Sequence, residues 1–210
     1  MTRTKSIALL TLVVIVAAAA GMLLSRALLP SAAERDSAAL AAGTLLEPAR
    51  PLPEFQLTDH RGNDFGKDQL RGQWSFVFFG FTNCPDVCPM TLRLLSQITQ
   101  SVADLQPDRR PNVILVSVDP KRDSPAQLAK YVAFFDASFT GLTGEQGAID
   151  SFTRQLGVPV AITPSDDGGY TVDHSAAVFL VDPTGALRAL FSPPHSPDLI
   201  AEDYRRVVDE

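Results

Sequence analysis

Cys84 and Cys88 are the only cysteines in this 210-residue chain, and they sit in Phe81-Thr82-Asn83-Cys84-Pro85-Asp86-Val87-Cys88-Pro89. Residues four apart on one helical turn share a face, with Cβ atoms roughly 5–6 Å apart. Two sulfurs that close can form a disulfide or converge on one soft metal ion. An inert staple is the bland alternative, but so local a bridge closes a tiny loop and restrains the unfolded chain little. Dithiol oxidoreductases use two intervening residues, and here there are three, which widens the bite without forbidding a disulfide. His174, in Asp173-His174-Ser175, offers a third donor. An imidazole facing two thiolates makes a soft S₂N set, suited to Cu(I) in near-trigonal geometry and able to hold Cu(II). Zinc also accepts S₂N with a water.

The three donors meet only if the surrounding elements bring them together. Trp74–Phe81 is a dense apolar run suited to a strand buried on both faces. After the cysteines, Met90–Leu105 sets Leu92, Leu95, Ile98, Val102 and Leu105 at helical spacing. Phe55–Thr58 alternates like a half-buried strand, and Val113–Val118 reads as a second buried one. Helices are expected over Pro125–Phe135, capped by Asp123 or Ser124, over Gln146–Leu156, and over Pro197–Val208 behind Ser196. Ala176–Val181 and Leu187–Phe191 flank Asp182-Pro183-Thr184-Gly185 as a hairpin. This β-α-β-α order with a ββα ending predicts an α/β, thioredoxin-like fold.

In such a fold the cysteines lie where a buried strand gives way to a helix. Ligands collect at that edge, and the helix N-terminus favours thiolate over thiol. The loop entering the Ala176–Val181 strand faces them. Thioredoxin-like oxidoreductases usually carry a cis proline there, whereas this chain has Asp173, His174 and Ser175. All three donors are therefore expected on loops, in an exposed and shallow site that Phe81 flanks. Trp74, Phe76, Phe78 and Phe79 are assigned to the core. Asp119 and Asp123 are assigned to turn formation and helix capping, Asp86 to an exposed turn, and His60 and His195 to solvent. Met90 is the only methionine beyond residue 22, so this is not a Met-rich copper carrier.

Charge and hydropathy divide the chain. Residues 1–30 hold Arg3, Lys5 and Arg26 without an acidic residue, and the rest sets 15 basic residues against 24 acidic ones. An acidic body without a basic stripe excludes nucleic acid as the expected partner. Ile7–Leu24 is an 18-residue stretch whose only polar member is Thr11. Such a stretch predicts a transmembrane helix, and the basic residues before it keep the N-terminus cytoplasmic. A cleaved signal peptide, with Pro30-Ser31-Ala32-Ala33 as the small-residue site, is the competing reading. The resulting organisation is an anchor over 1–29, a Pro- and Ala-rich tether over 30–50, and a thioredoxin-like domain over 51–210 that carries the candidate metal site. A bacterial inner membrane with the domain in the periplasm is the expected location.

Three motifs occur in order: Thr82-x-Cys84-Pro85-Asp86-Val87-Cys88-Pro89, Val116-Ser117-Val118-Asp119-Pro120-Lys121-Arg122-Asp123-Ser124-Pro125, and Asp173-His174-Ser175-Ala176 ahead of Leu180-Val181-Asp182-Pro183-x-Gly185. Together they resemble the Sco/SenC family from about Pro51 to the end. The resemblance implies an N-terminal anchor, a thioredoxin-like fold, and copper held by Cys84, Cys88 and His174. It also implies a role in assembling the CuA centre of cytochrome c oxidase subunit II, or in serving another copper acceptor, as copper donor, thiol reductant or both. Three rivals stand beside it. One is a thiol-disulfide oxidoreductase in which the pair Cys84 and Cys88 does the chemistry and His174 tunes it. Another is a peroxiredoxin-like peroxidase, although Thr82 precedes Cys84 by two positions where three is usual. The last is a copper or redox sensor.

Overall fold

The computed structural model describes residues 40–164 and 168–209, with 18 and 20–22 of the N-terminal segment. The expected span over Ile7–Leu24 thus lies, apart from those few positions, outside the described residues. Among the described residues no helix is long and apolar enough to cross a membrane. In chain order the elements are strands β1 (Gly43–Pro51), β2 (Gln56–Asp59), β3 (Asp64–Gly66) and β4 (Ser75–Gly80), helix α1 (Val87–Ser101), strand β5 (Asn112–Ser117) and helix α2 (Pro125–Phe135). Then come β6 (Thr140–Thr143), α3 (Gln146–Leu156), β7 (Val160–Pro164), β8 (Tyr170–His174), β9 (Val178–Val181), β10 (Ala186–Phe191) and α4 (Pro197–Asp209).

One sheet runs in the order β1-β10-β9-β4-β5-β6-β2-β3, while β7 and β8 form a separate hairpin. β4 and β5 are parallel, and β9 lies antiparallel to β4 and to β10. The order β10-β9-β4-β5, built from a βαβ unit and a ββα unit, is the thioredoxin-like core that the sequence predicts. Its centre follows from β4, in which every residue is buried. Pleating sends Phe76 and Gly80 to one face, against Tyr204 of α4 and Cys88 of α1, and Phe79 to the other, against Phe152 of α3. Helix α2 starts where expected, at Pro125, and its cap is Ser124, whose hydroxyl accepts from the Gln127 amide while the Gln127 side chain returns to the Ser124 amide. That reciprocal pair satisfies two otherwise orphaned donors.

The tether reading needs correction at its C-terminal end. Residues 43–51 are strand β1, paired with β10 from Gly43 opposite Phe191 to Pro51 opposite Ala186. Just before it, the amides of Ala41 and Ala42 each donate to the buried Asp203 carboxylate at 2.7 Å. Pro48 and Pro51 argue against a central strand, but an edge strand tolerates proline because one row of its amides needs no ladder partner. Position matters most at the opposite edge of the parallel pair. Gly80 lies opposite Ser117, so β4 and β5 end together and the loops that follow them are neighbours. One loop carries Cys84, and the other carries Asp119, Arg122 and Asp123.

Candidate metal centre

Cys84 sits on the loop between β4 and α1, 9% exposed, and Cys88 occupies the second position of α1 with no exposure. The Cys88 amide is one of the free donors of the helix start, and it points at the Cys84 sulfur, 3.4 Å away. His174 is the last residue of β8, opposite Val160 on β7, and Val172 two positions earlier is buried. Its Nε2 stands 3.1 Å from the Cys88 sulfur. Ring edges of Phe78 and Phe81 face the imidazole at centroid distances of 5.9 and 5.7 Å. The two Sγ atoms and one histidine nitrogen all lie within 4.8 Å of one another.

The three donors are thus together, but not on three loops. Cys88 belongs to a helix and His174 ends a strand, so regular backbone fixes two of the three. Nor is the site uniformly exposed. A cleft of about 490 Å³, lined by Phe81, Cys84, Asp86, Arg122, Tyr170 and His174 among others, opens onto the outer cysteine, while Cys88 lies behind it.

Hydrogen bonding fixes the imidazole in a form that can ligate. His174 Nδ1 is 2.9 Å from the Ser175 carbonyl, which can only accept, so Nδ1 carries the proton and Nε2 keeps a free lone pair toward Cys88. Burial lowers the pKa of the ring, against a smaller opposing effect of the Ser175 carbonyl and Asp173, and so favours the neutral form. Burial also pushes the Cys88 thiol well up, and the Cys84 side chain adds to the rise. A metal ion therefore has to displace the Cys88 proton. The soft, deprotonatable sulfurs and the neutral nitrogen fit a copper ion.

The raised thiol pKa sets an alkaline stability limit for the metal-free protein. Above the ordinary thiol value of 9.0 the unfolded chain gives up a proton that the folded chain retains, so folding stability falls as pH rises. Below that value the contribution is fully present. Burial raises Tyr131 and Tyr204 too, but they act above 10.0. Urea midpoints of the wild type are expected to hold up to about pH 9 and to drop above it, with a flatter profile for Cys88→Ser.

Asp119 and Asp123 do more than turn and cap the chain. The buried Asp123 carboxylate accepts from the Thr82 amide at 3.0 Å, the Thr82 hydroxyl at 2.5 Å and the Ser117 hydroxyl at 2.6 Å. It therefore ties the cysteine loop to the end of β5. Asp119, also buried, forms an ion pair with Arg122 and accepts from the Tyr170 hydroxyl at 2.7 Å, which ties β8 to the loop after β5. The sequence hid these roles because Asp before Ser-Pro reads as a cap. The remaining histidines are engaged as well. His195 Nε2 donates to the Ala176 carbonyl at 2.8 Å, and His60 Nδ1 accepts from the Gly141 amide at 3.1 Å. The solvent assignment of both therefore gives way to roles in holding loops.

Gly80 is the tightest point under the cysteines. A Cβ there would stand 3.0 Å from the Cys88 sulfur and 3.1 Å from Leu115 Cδ1. Gly80→Ala is expected to displace Cys88, costing about 1–3 kcal/mol of stability as overpacked cores do. Thermal unfolding and copper titration on the same preparation would check it.

The sequence pattern of the SCO1/SenC family matches residues 44–209. The chain belongs to the SCO1/SenC family. A protein of Stutzerimonas stutzeri whose name proposes copper binding is 35% identical to this SCO1/SenC chain over 185 residues, covering 86% of this chain and 89% of that one. The bovine mitochondrial protein SCO2 homolog is 38% identical over 155 residues, or 73% of this chain and 58% of its own length. The copper-bound structure of Bradyrhizobium japonicum ScoI superposes with a TM-score of 0.67 at 34% identity, over 75% of this chain and 99% of that one. The family match begins at residue 44, inside β1, in agreement with a folded domain that starts before Pro51.

Proposed function

We propose that this SCO1/SenC chain is a membrane-anchored copper metallochaperone that helps to assemble the CuA site of cytochrome c oxidase, with its folded domain in the periplasm. The single observation that carries copper binding is the convergence of two sulfurs and a neutral imidazole within 4.8 Å. The copper-bound relative named above supports the choice of ion, and the apolar Ile7–Leu24 segment behind two basic residues supports the anchor.

Copper is the cargo in this scheme. Cys84, at the mouth of the cleft, is the donor that an acceptor's thiolate can approach, while Cys88 and His174 hold the ion from behind. Stepwise exchange then starts at Cys84 and ends at Cys88, so the ion is never without ligands. A second reading is favoured by the unequal exposure of the same pair, which suits a thiol reductant. Cys84 would attack a disulfide of the acceptor, and Cys88 would resolve the mixed disulfide, leaving a Cys84–Cys88 bridge and the acceptor as a dithiol.

A copper titration separates the two readings. For zinc-binding peptides, about 10–16 kcal/mol is shared among the ligands, roughly 3 kcal/mol each, so His174→Ala is expected to weaken copper binding by about a hundredfold. Reduction of a disulfide substrate that survives His174→Ala and copper chelation would favour the reductant. In cells, deletion of the gene is expected to lower oxidase activity, and added copper is expected to restore it. Equal copper affinity in wild type and His174→Ala would reject the proposed site.

A further inference from the structure

Among the described residues, the hairpin that carries His174 shares no strand pairing with the main sheet. The sheet ladder therefore does not fix the distance from the imidazole to the sulfurs. Backbone links His174 to the sheet through residues 175–177 into β9, so side chains share in setting that distance, and one residue contacts both walls of the cleft. Arg122 donates from Nε to Asp119 and from Nη1 to the Tyr170 carbonyl at 3.3 Å. Its guanidinium carbon lies 4.0 Å from the centroid of the Tyr170 ring on the histidine wall and 5.7 Å from that of Phe81 on the cysteine wall. Phe81 in turn meets the His174 ring edge-on. Asp119 closes the arrangement by accepting from the Tyr170 hydroxyl.

We infer that Arg122 is a positioning residue: a strut that spaces the Tyr170–His174 strand from the cysteine loop and so keeps Nε2 within reach of an ion held by the two sulfurs. The inference rests on the copper reading above. The chemistry explains why an arginine is used. A planar guanidinium can pair with a carboxylate, donate to a carbonyl and stack on aromatic rings at once, whereas an ammonium is a point charge that cannot do all three. Both anchors of the strut also lie outside the ligand set, so its removal spares every donor atom.

Arg122→Met in the full chain tests the strut. Copper dissociation is expected to quicken by about tenfold, in the range found for residues that support a ligand. The Cu(II) form should keep its thiolate charge-transfer bands and lose the imidazole nitrogen coupling in its paramagnetic resonance spectrum. Added free imidazole should restore that coupling by filling the vacated position. In the metal-free protein, amide exchange at Val172 and Asp173 should speed up while that of β9 stays unchanged. Arg122→Lys should shift each readout in the same direction by a smaller amount, and it carries the test should the methionine variant not fold. Wild-type spectra and dissociation rates in both variants would overturn the inference. So would a loss that free imidazole does not restore, accompanied by faster exchange throughout the sheet. If wild type itself were indifferent to His174→Ala, the copper reading would fail instead, and hairpin exchange alone would decide whether Arg122 acts as the strut.

Discussion

Cys88→Ser is expected to reduce copper affinity by roughly a thousandfold or more, the largest effect of any single substitution in this protein. Cys88 is the inner donor, fully buried and 3.1 Å from His174 Nε2, so its loss leaves the ion with one sulfur and one nitrogen. A serine oxygen is hard, is not deprotonated near neutral pH and cannot replace the thiolate. The fold should persist, because the new hydroxyl can donate to the same Nε2, and the net cost should be about 1 kcal/mol. Competition against a Cu(I) chelator, with circular dichroism on the same samples, would measure both. Wild-type uptake releases the Cys88 proton, so its apparent affinity should rise by about tenfold per pH unit for that proton alone. Unchanged affinity in the serine variant would remove Cys88 from the site.

Asp123→Ala should be the most destabilising change near the site that touches no ligand. It strands three donors at once: the Thr82 amide, the Thr82 hydroxyl and the fully buried Ser117 hydroxyl. Each unpaired buried donor costs about 1–3 kcal/mol, and partial rescue by water at Thr82 brings the expected sum to roughly 3–5 kcal/mol. The urea midpoint should fall accordingly with the slope preserved. Asp123→Asn keeps one acceptor oxygen but turns an amino group toward a donor, so an intermediate loss is expected. A change below about 0.5 kcal/mol for the alanine variant would show that the carboxylate does not hold the loop. Copper affinity should also fall, because Thr82 lies two residues before Cys84.

The parts of this molecule that were legible in sequence share a property: their signal is local and has one dominant explanation. Phe76 to Phe79 in one short aromatic run suited a buried strand. Ser124-Pro125 marked the start of α2, and α3 spans the expected Gln146–Leu156, closed in the structure by Gly157 at φ +72°. Cys84, Cys88 and His174 were legible because few other roles suit two lone cysteines beside a buried strand. What escaped is long-range. β1 hid behind Pro48 and Pro51, since an edge strand cannot be told from a tether until its partner is known. The β7–β8 hairpin is largely exposed and carries little apolar alternation. Asp123 and Arg122 reveal their contacts only through the register that sets Gly80 opposite Ser117.

The spacing of the donors along the chain has a consequence for biogenesis. Cys88 and His174 stand 86 positions apart, and the imidazole arrives on a hairpin that follows both β5 and β6. A polypeptide still being made, or clipped after α3, presents two thiols with no nitrogen between them and the bulk solvent. Such a chain can snatch a metal ion but cannot enclose it. The full coordination sphere appears only when the last third has taken its place, so tight retention of the ion doubles as a certificate that synthesis and folding are finished.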